Sequence, residues 1–300
     1  MRTKIHWYLH NHCTAQCTYC PARFWGGDTP HHISEYLEVT NQLIDHYDSI
    51  GRKIDWTFDG GEPLDMFDFP MILKLCKEKG GTIKLNSNGG KMWLDWWAIE
   101  PHVDELTLTY HYWQKAPLIK FILDAFRKAG KSVNVNVPIR PEHFDEDIQR
   151  ALDIESANGI VAAKTILYYE SDPAGGMFPY TDDQLRIIRG EELVQEKQHH
   201  VVTTFHERLE QRIAENPTYT GMLCNVGIEK LNITHLGWVS GSDCNDKPLG
   251  NIWINNAVPV SDAAEQQTIL NRLNLPTSPH TCGMKACMSA GDQQITKFSL

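Results

Sequence analysis

Six short runs of period-two alternation, each followed by a stretch with helical spacing, constrain this chain more than any other feature. In residues 4–10, Ile5, Trp7 and Leu9 share one face, and His6, Tyr8 and His10 share the other. That is the period of a strand. Residues 34–50 follow with Tyr36, Leu37, Leu43, Ile44, Tyr47 and Ile50 near helical spacing, Ser34 as the expected N-cap and Gly51 as the stop. The pattern then repeats. Strands are predicted at 54–58, 82–85, 105–111, 132–139 and 163–169, and helices at 68–79, 91–100, 115–129 and 143–157. Strands alternating with helices mean βαβ units and a parallel sheet. The predicted fold class is α/β, and six units fit a partial (β/α)6 barrel better than a closed eightfold one.

The second faces of these strands are polar. Asp55 and Thr57 oppose Ile54, Trp56 and Phe58; Thr107, Thr109 and His111 oppose Leu106 and Leu108; Asn134 and Asn136 oppose Val133, Val135 and Val137. Helices must cover the apolar face, so the polar face is expected to line the interior. A closed barrel fills its interior with branched apolar side chains. A polar lining implies a wider, wetter cavity for a polar ligand. An antiparallel sheet with one wet face would show the same alternation, but the intervening helices argue against it. Trp93, Trp96 and Trp97 read as packing residues, and Cys76 as a core thiol.

Three loops at predicted strand ends carry chemistry, which is where barrels place their sites. The first holds Cys13, Cys17 and Cys20 within eight residues. Thiols crowded in this way are metal ligands more often than disulfide partners. A four-iron cluster held by three cysteines keeps one iron open to a small molecule. A zinc ion completed by His10 or His12 is the plainer alternative. The second loop is Asp59-Gly60-Gly61-Glu62-Pro63, whose glycines permit close backbone approach. The third is Asn86-Ser87-Asn88-Gly89-Gly90. Taken singly, the latter two are turns.

The combination resembles a known family. The spacing C-x3-C-x2-C with Tyr19 before the last cysteine, followed one βα unit later by Gly60-Gly61-Glu62-Pro63, is similar to the signature of the radical S-adenosylmethionine (radical SAM) enzymes. The resemblance implies that Cys13, Cys17 and Cys20 hold a 4Fe–4S cluster whose open iron chelates the methionine amino and carboxylate groups of S-adenosylmethionine. One electron then cleaves the sulfonium, and the 5′-deoxyadenosyl radical takes a hydrogen atom from substrate. It implies that the Gly60–Pro63 turn holds the methionine amino group, largely through backbone groups. The Asn86, Ser87 and Asn88 turn resembles the family's turn after the third strand. Thr109, His111 and Asn136 are assigned to the ribose and carboxylate, although each could be an ordinary hydrogen-bonding residue. Tyr168, Tyr169, Glu170 and Asp172 end the sixth strand. Glu170 and Tyr169 are the candidate substrate contacts, and Asp172 reads as a solvated loop carboxylate.

Residues 181–215 read as a long charged helix with a break near His199-His200, and Asn216-Pro217 marks a boundary. The expected domains are 1–216 and 217–300. The second holds Cys224, Cys244, Cys282 and Cys287, a hairpin over 230–234 and 238–240, a helix over 261–273 and a C-x4-C loop. This resembles the Twitch appendage of radical SAM enzymes, a small β-hairpin and helix region that binds a second, auxiliary 4Fe–4S cluster. A structural zinc ribbon is the alternative.

Composition narrows the partners. A net charge of −10 argues against nucleic acid. No run of about eighteen apolar residues exists and the first residues lack a signal peptide, so a cytoplasmic protein without a membrane span is expected. A fully ligated auxiliary cluster would pass electrons, and the resemblance implies an external low-potential donor of flavodoxin or ferredoxin type. The expected activity is oxidative modification or cross-linking of a peptide or protein. Dehydrogenation of a small polyol or aminocyclitol is the alternative, strengthened by the lack of an expected leader-reading domain before the first strand. A zinc-stabilised binding protein is the non-enzymatic alternative.

Overall fold

Parallel pairing of the period-two runs sets the architecture of the computed structural model, which describes residues 1–20, 27, 31–90, 93–168, 176–190, 220–241, 249–253, 273–282 and 295–298. The first strand, β1 (Arg2–Tyr8), leads to α1 (Ile33–Ser49). Then follow β2 (Lys53–Asp59), α2 (Phe69–Glu78), β3 (Thr82–Ser87), α3 (Trp93–Ile99), β4 (Glu105–Thr109), α4 (Ala116–Lys128), β5 (Ser132–Ile139), α5 (Phe144–Asn158) and β6 (Ala162–Ile166). Strands β1 to β6 lie in sequence order and pair in parallel. The result is a mixed α/β fold with a parallel sheet.

The alternation works as expected. Ile5, Trp7, Ile54, Trp56, Phe58, Ile83, Leu85, Leu106, Leu108, Val135 and Val137 are buried beneath the helices. Aromatic rings fill this layer. Trp56 stacks on Phe58 at 5.7 Å, and Phe58 meets the edge of Phe69 at 5.4 Å. Such pairs add to area burial alone. The opposite face is polar and half-buried. There Lys84 pairs with Glu105 at 2.7 Å, and Asn134 donates to the same carboxylate at 2.9 Å. Cys76 is buried in the core, and Trp96 packs edge-on against Phe126. Trp97 instead is exposed.

Several boundaries differ from the sequence expectation. The cap of α1 is His32, not Ser34: the His32 ring accepts from the Ser34 amide at 3.3 Å, and Glu35 accepts from the His32 amide at 3.0 Å. This is a capping box built with an imidazole acceptor. Strand β4 stops at Thr109 and β6 at Ile166; Tyr168 makes an isolated bridge to Met177. Of the helix expected over 181–215, α6 (Asp182–Arg189) is described and is closed by Gly190 in the left-handed conformation; residues 191–215 lie outside the described residues. The break near His199-His200 and the 261–273 helix, apart from Leu273, fall outside the described residues.

The chain after residue 220 adds β7 (Leu223–Cys224), β8 (Lys230–Ile233), β9 (Trp238–Ser240), β10 (Gly250–Asn251), β11 (His280–Thr281) and β12 (Lys297–Phe298). The hairpin β8–β9 forms where expected, but it does not stand apart. Strand β8 pairs in parallel with β1, giving a nine-stranded sheet ordered β10-β9-β8-β1-β2-β3-β4-β5-β6. Leu231 and Ile233 carry it there, both fully buried in the same core as Ile5 and Trp7. Hydrogen bonds fix the join: Thr3 Oγ1 donates to Ile228 O at 2.7 Å, and Tyr47 Oη donates to Gly227 O at 2.6 Å. Strands β11, β7 and β12 form a separate small sheet. No helix among the described residues is long and apolar enough to cross a membrane.

Tyr47→Phe tests this join. It strands a carbonyl acceptor beside a fully buried ring, which costs about 1–3 kcal/mol. The expected result is a lower urea midpoint with an unchanged slope.

Candidate functional site

Hydrogen bonds between loops assemble the site at the C-terminal ends of β1 to β5. The cysteine loop leaves β1 through Leu9, whose amide donates to Asp59 O at 2.9 Å. The amides of Gly61 and Glu62 then donate to His10 O and His12 O at 2.8 and 2.9 Å, and Thr14 N donates to Asp65 at 2.7 Å. The cysteine loop is thus stitched along the Gly-Gly-Glu-Pro turn. Gly60 makes this possible: its φ is +144°, and a Cβ there would lie 2.6 Å from His10 O.

Glu62 joins that turn to the next. Its carboxylate accepts from Leu64 N at 3.1 Å, Ser87 Oγ at 2.8 Å and Asn88 N at 2.6 Å. It is 1% exposed. Burial pushes its pKa up to about 7, against the pull of the Asn88 and Leu64 amides and the Ser87 hydroxyl. The side chain proposed from sequence as a cofactor contact is therefore committed within the protein. Pro63 starts the short 3-10 turn Pro63–Asp65 that follows. On the inner wall, Asp59 accepts from Asn86 Nδ2 at 3.0 Å and lies 3.3 Å from His6 Nε2.

Of the three thiols, Cys13 and Cys17 are buried and Cys20 is half-buried, in a turn closed by Cys20 N donating to Cys17 O at 2.9 Å. Between the first two, Gln16 has φ +46°, a left-handed conformation unusual for a residue with a side chain. Burial pushes the Cys13 thiol pKa up, and hydrogen bonds from the backbone of Ala15 and Gln16 pull against it. Asn88 Nδ2 donates to Cys13 Sγ at 3.5 Å, and Trp113 Nε1 donates to Cys17 Sγ at 3.2 Å. His111 Nδ1 lies 3.6 Å from Cys17 Sγ and hydrogen-bonds Tyr19 Oη. Burial lowers the His111 pKa to about 4, so its ring is neutral near pH 7, and burial raises that of Tyr19. Among the described residues, no three His, Cys, Asp or Glu side chains form a site for a single ion. A four-iron cluster sets each thiolate on a different iron and needs no such convergence. The donor set fits one: three reduced thiols on a single loop, two of them already met by N–H groups. His10, the candidate zinc ligand, uses Nδ1 to accept from His12 N at 3.2 Å.

Thr109 and Asn136 face each other in register across β4 and β5. Tyr169 and Glu170 lie outside the described residues, as do Asp172, Cys244 and Cys287. Cys224 and Cys282 are brought together. Cys224 pairs with His280 across the small sheet, Cys282 N donates to Met222 O at 2.7 Å, and both cysteines are buried in one cluster with Val226 and Ile295.

The sequence reading missed Trp113, Gln114 and Arg140. Gln114 accepts from His111 N at 2.6 Å and donates to Asn88 O, tying the β4 loop to the β3 loop. Arg140 lies 4.1 Å from the centre of the Tyr112 ring, whose edge meets Tyr19 at 6.3 Å. Asp147, fully buried, holds Arg140 through Nε at 2.8 Å and through its amide at 2.9 Å, and also binds Arg150. The run Tyr-His-Tyr-Trp-Gln directly after the fourth strand was the available signal.

No protein-family model and no curated protein matches the chain. Solved structures do. SuiB of Streptococcus suis bound to precursor peptide SuiA aligns with a TM-score of 0.52 at 14% identity, over 94% of this chain and 71% of that one. anSMEcpe with bound S-adenosylmethionine aligns with a TM-score of 0.50 at 10% identity, over 98% and 95%. SuiB bound to S-adenosylmethionine aligns at 0.49 and 13% identity over 82% of this chain; the match spans 62% of that protein's length. At these identities the likeness is one of fold: a mixed α/β architecture with a parallel sheet.

Three substitutions test the geometry. Gly60→Ala should cost more than about 1 kcal/mol and lower the iron bound per chain, because the cysteine loop must move. Gly130→Ala, at φ +72° but in open space, should lose stability alone. Asp147→Asn leaves Arg140 and Arg150 without their counter-charge and should cost about 3–5 kcal/mol at pH 7. Burial alone would raise the Asp147 pKa, but hydrogen bonds from Arg140 and Arg150 outweigh it and hold it below the usual 3.8. The stabilisation is therefore complete above the ordinary carboxylate range and lost as pH falls through the lowered value. The gap between wild type and Asp147→Asn should accordingly narrow as pH falls below the ordinary carboxylate range in thermal melts.

Proposed function

We propose that this chain is a radical SAM enzyme that modifies a peptide or protein oxidatively. The observation that carries the reading is the three-thiol loop hydrogen-bonded along the Gly-Gly-Glu-Pro turn at the C-terminal edge of a parallel sheet. The fold likeness to proteins solved with S-adenosylmethionine and with a precursor peptide supports it. In this reading β1 to β6 form a partial (β/α)6 barrel, residues 1–216 make the barrel domain, and residues 217–300 make a Twitch-like region whose hairpin borders β1.

When bound, a 4Fe–4S cluster with S-adenosylmethionine supplies one-electron cleavage of the sulfonium and a radical that abstracts hydrogen. The chain's own groups do the rest. Cys13, Cys17 and Cys20 hold the cluster. The Gly61 and Glu62 amides are spent on His10 and His12, and the Asp59, Glu62 and Pro63 carbonyls accept from Leu9, Asp65 and Met66, so the Gly60 and Gly61 carbonyls are the groups of this turn that would accept from a ligand's ammonium. Glu62, Ser87 and Asn88 keep two turns in fixed relation, and Thr109 and Asn136 present polar groups where ribose and carboxylate would lie. The half-buried polar wall built on His6, Asp59 and Asn86 accommodates a polar substrate, with Tyr169 and Glu170 as further contacts. The meeting of Cys224 with Cys282 supports an auxiliary 4Fe–4S centre completed by Cys244 and Cys287, which would relay the electron taken from substrate. An external flavodoxin- or ferredoxin-type donor would supply the first electron in the cytoplasm. Dehydrogenation of a small polyol uses the same machinery. Supplying candidate peptides and polyols to the reduced enzyme, and following hydrogen loss by mass spectrometry, separates the two.

Replacing any of Cys13, Cys17 or Cys20 by Ala should abolish 5′-deoxyadenosine formation from S-adenosylmethionine under dithionite. With both centres filled, anaerobically reconstituted protein should hold about eight irons, and the triple variant about four. Zinc in place of iron in the anaerobically purified protein would sink the reading.

A further inference from the structure

The indole of Trp113 reaches Cys17 from the turn after β4, which does not carry the cysteine loop. Its Nε1–H donates to Cys17 Sγ at 3.2 Å. The ring is held for this purpose. It lies parallel to His111, 5.6 Å away and 6° from coplanar. The turn that carries it is closed by Gln114 N donating to His111 O at 3.1 Å and by His111 N donating to Gln114 Oε1 at 2.6 Å. Gln114 also donates to Asn88 O, so the same turn anchors the loop whose Asn88 side-chain carboxamide donates to Cys13. Packing does not account for the choice of tryptophan. Trp7, Trp56 and Trp96 are buried with their indole nitrogens unpartnered, as packing residues are. Trp113 is 40% exposed, and its N–H is directed at sulfur.

A thiolate bound to an iron–sulfur cluster gains negative charge when the cluster is reduced. A fixed N–H dipole pointed at that sulfur favours the reduced state over the oxidised one, and hydrogen bonds to sulfur are among the levers that set cluster potentials. We propose that Trp113 is a positioning residue that raises the reduction potential of the cluster held by Cys13, Cys17 and Cys20 through its N–H···S bond to Cys17. Trp113 touches neither substrate nor S-adenosylmethionine in this role. It sets how strong a reductant the external donor must be. The inference rests on the iron–sulfur reading of the three-cysteine loop.

The test is a redox titration of the reconstituted protein without S-adenosylmethionine or substrate, followed by electron paramagnetic resonance. It compares wild type, Trp113→Phe, and protein carrying β-(3-benzothienyl)alanine at position 113, which keeps the bicyclic ring and replaces N–H by sulfur. Cluster loading is matched by iron content. At a fixed potential the reduced-to-oxidised ratio should fall several-fold in both variants; a tenfold fall corresponds to 59 mV for one electron. Ratios equal to wild type in both would overturn the proposal. So would a fall with Phe but none with benzothienylalanine, because ring packing would then be the cause. If the Phe variant does not load, the benzothienylalanine protein decides alone. Wild-type protein that binds no iron overturns the cluster reading itself, a result distinct from a loaded cluster of unchanged potential.

Discussion

The buried carboxylate of Glu62 is the constraint on which the site depends. Three donors meet it, one from its own turn and two from the turn after β3. A carboxyl 1% exposed is costly to ionise, and its pKa near 7 reports that cost. The return is geometric. Two strand ends that would otherwise carry independent loops become one rigid edge. The cysteine loop has little regular structure of its own and takes its shape from that edge through the Gly61, Glu62 and Leu9 amide and carbonyl bonds. The β4 loop joins through Gln114 and Asn88. Movement of Glu62 would therefore be felt at all three loops, although it touches no thiol.

What was legible in the sequence was local. Strand β5 and the helices α1, α2, α4 and α5 fall within about one residue of their predicted ends, because alternation and helical spacing report which face of each segment is buried. The cysteine loop and the turns at Gly60 and Asn86 were legible for the same reason, being contiguous. What was not legible depends on pairing between distant segments. Leu231 and Ile233 announce a strand, yet nothing in their neighbourhood says that it lies parallel to β1. The role of Glu62 as a staple needed Ser87 and Asn88 beside it. Gly190 closes α6 by taking the left-handed conformation, a stop that helical spacing in a charged stretch does not announce.

His111 shows how one residue can be found by pattern and still be placed by packing. Alternation put it on the polar face at the end of the fourth strand, which directed attention to a ligand. The strand stops at Thr109, and the chain then turns so that His111 stacks between Tyr19 and Trp113. Its ring becomes part of an aromatic wall around Cys17. Arg140 extends that wall from the next strand end, lying on Tyr112 and gripped by Asp147.

The charge distribution of this wall bears on the chemistry. The groups whose hydrogen-bond donors reach Cys13 and Cys17 are neutral: the Ala15 and Gln16 amides, the Asn88 carboxamide and the Trp113 indole. His111, with a pKa near 4, is uncharged at neutral pH. The charges that bear on Cys13 are the carboxylates Glu62 and Asp65, which oppose a further negative charge. Arg140 meets the loop through intervening rings, with much of its charge answered by Asp147. A cation in contact with sulfur would lower the cost of reduction by a full Coulomb interaction in a partly buried site; an N–H dipole supplies a fraction of that. In the proposed reading the centre needs a low potential, and a shell of dipoles raises it less than a contacting cation would while still satisfying the thiolates' demand for donors.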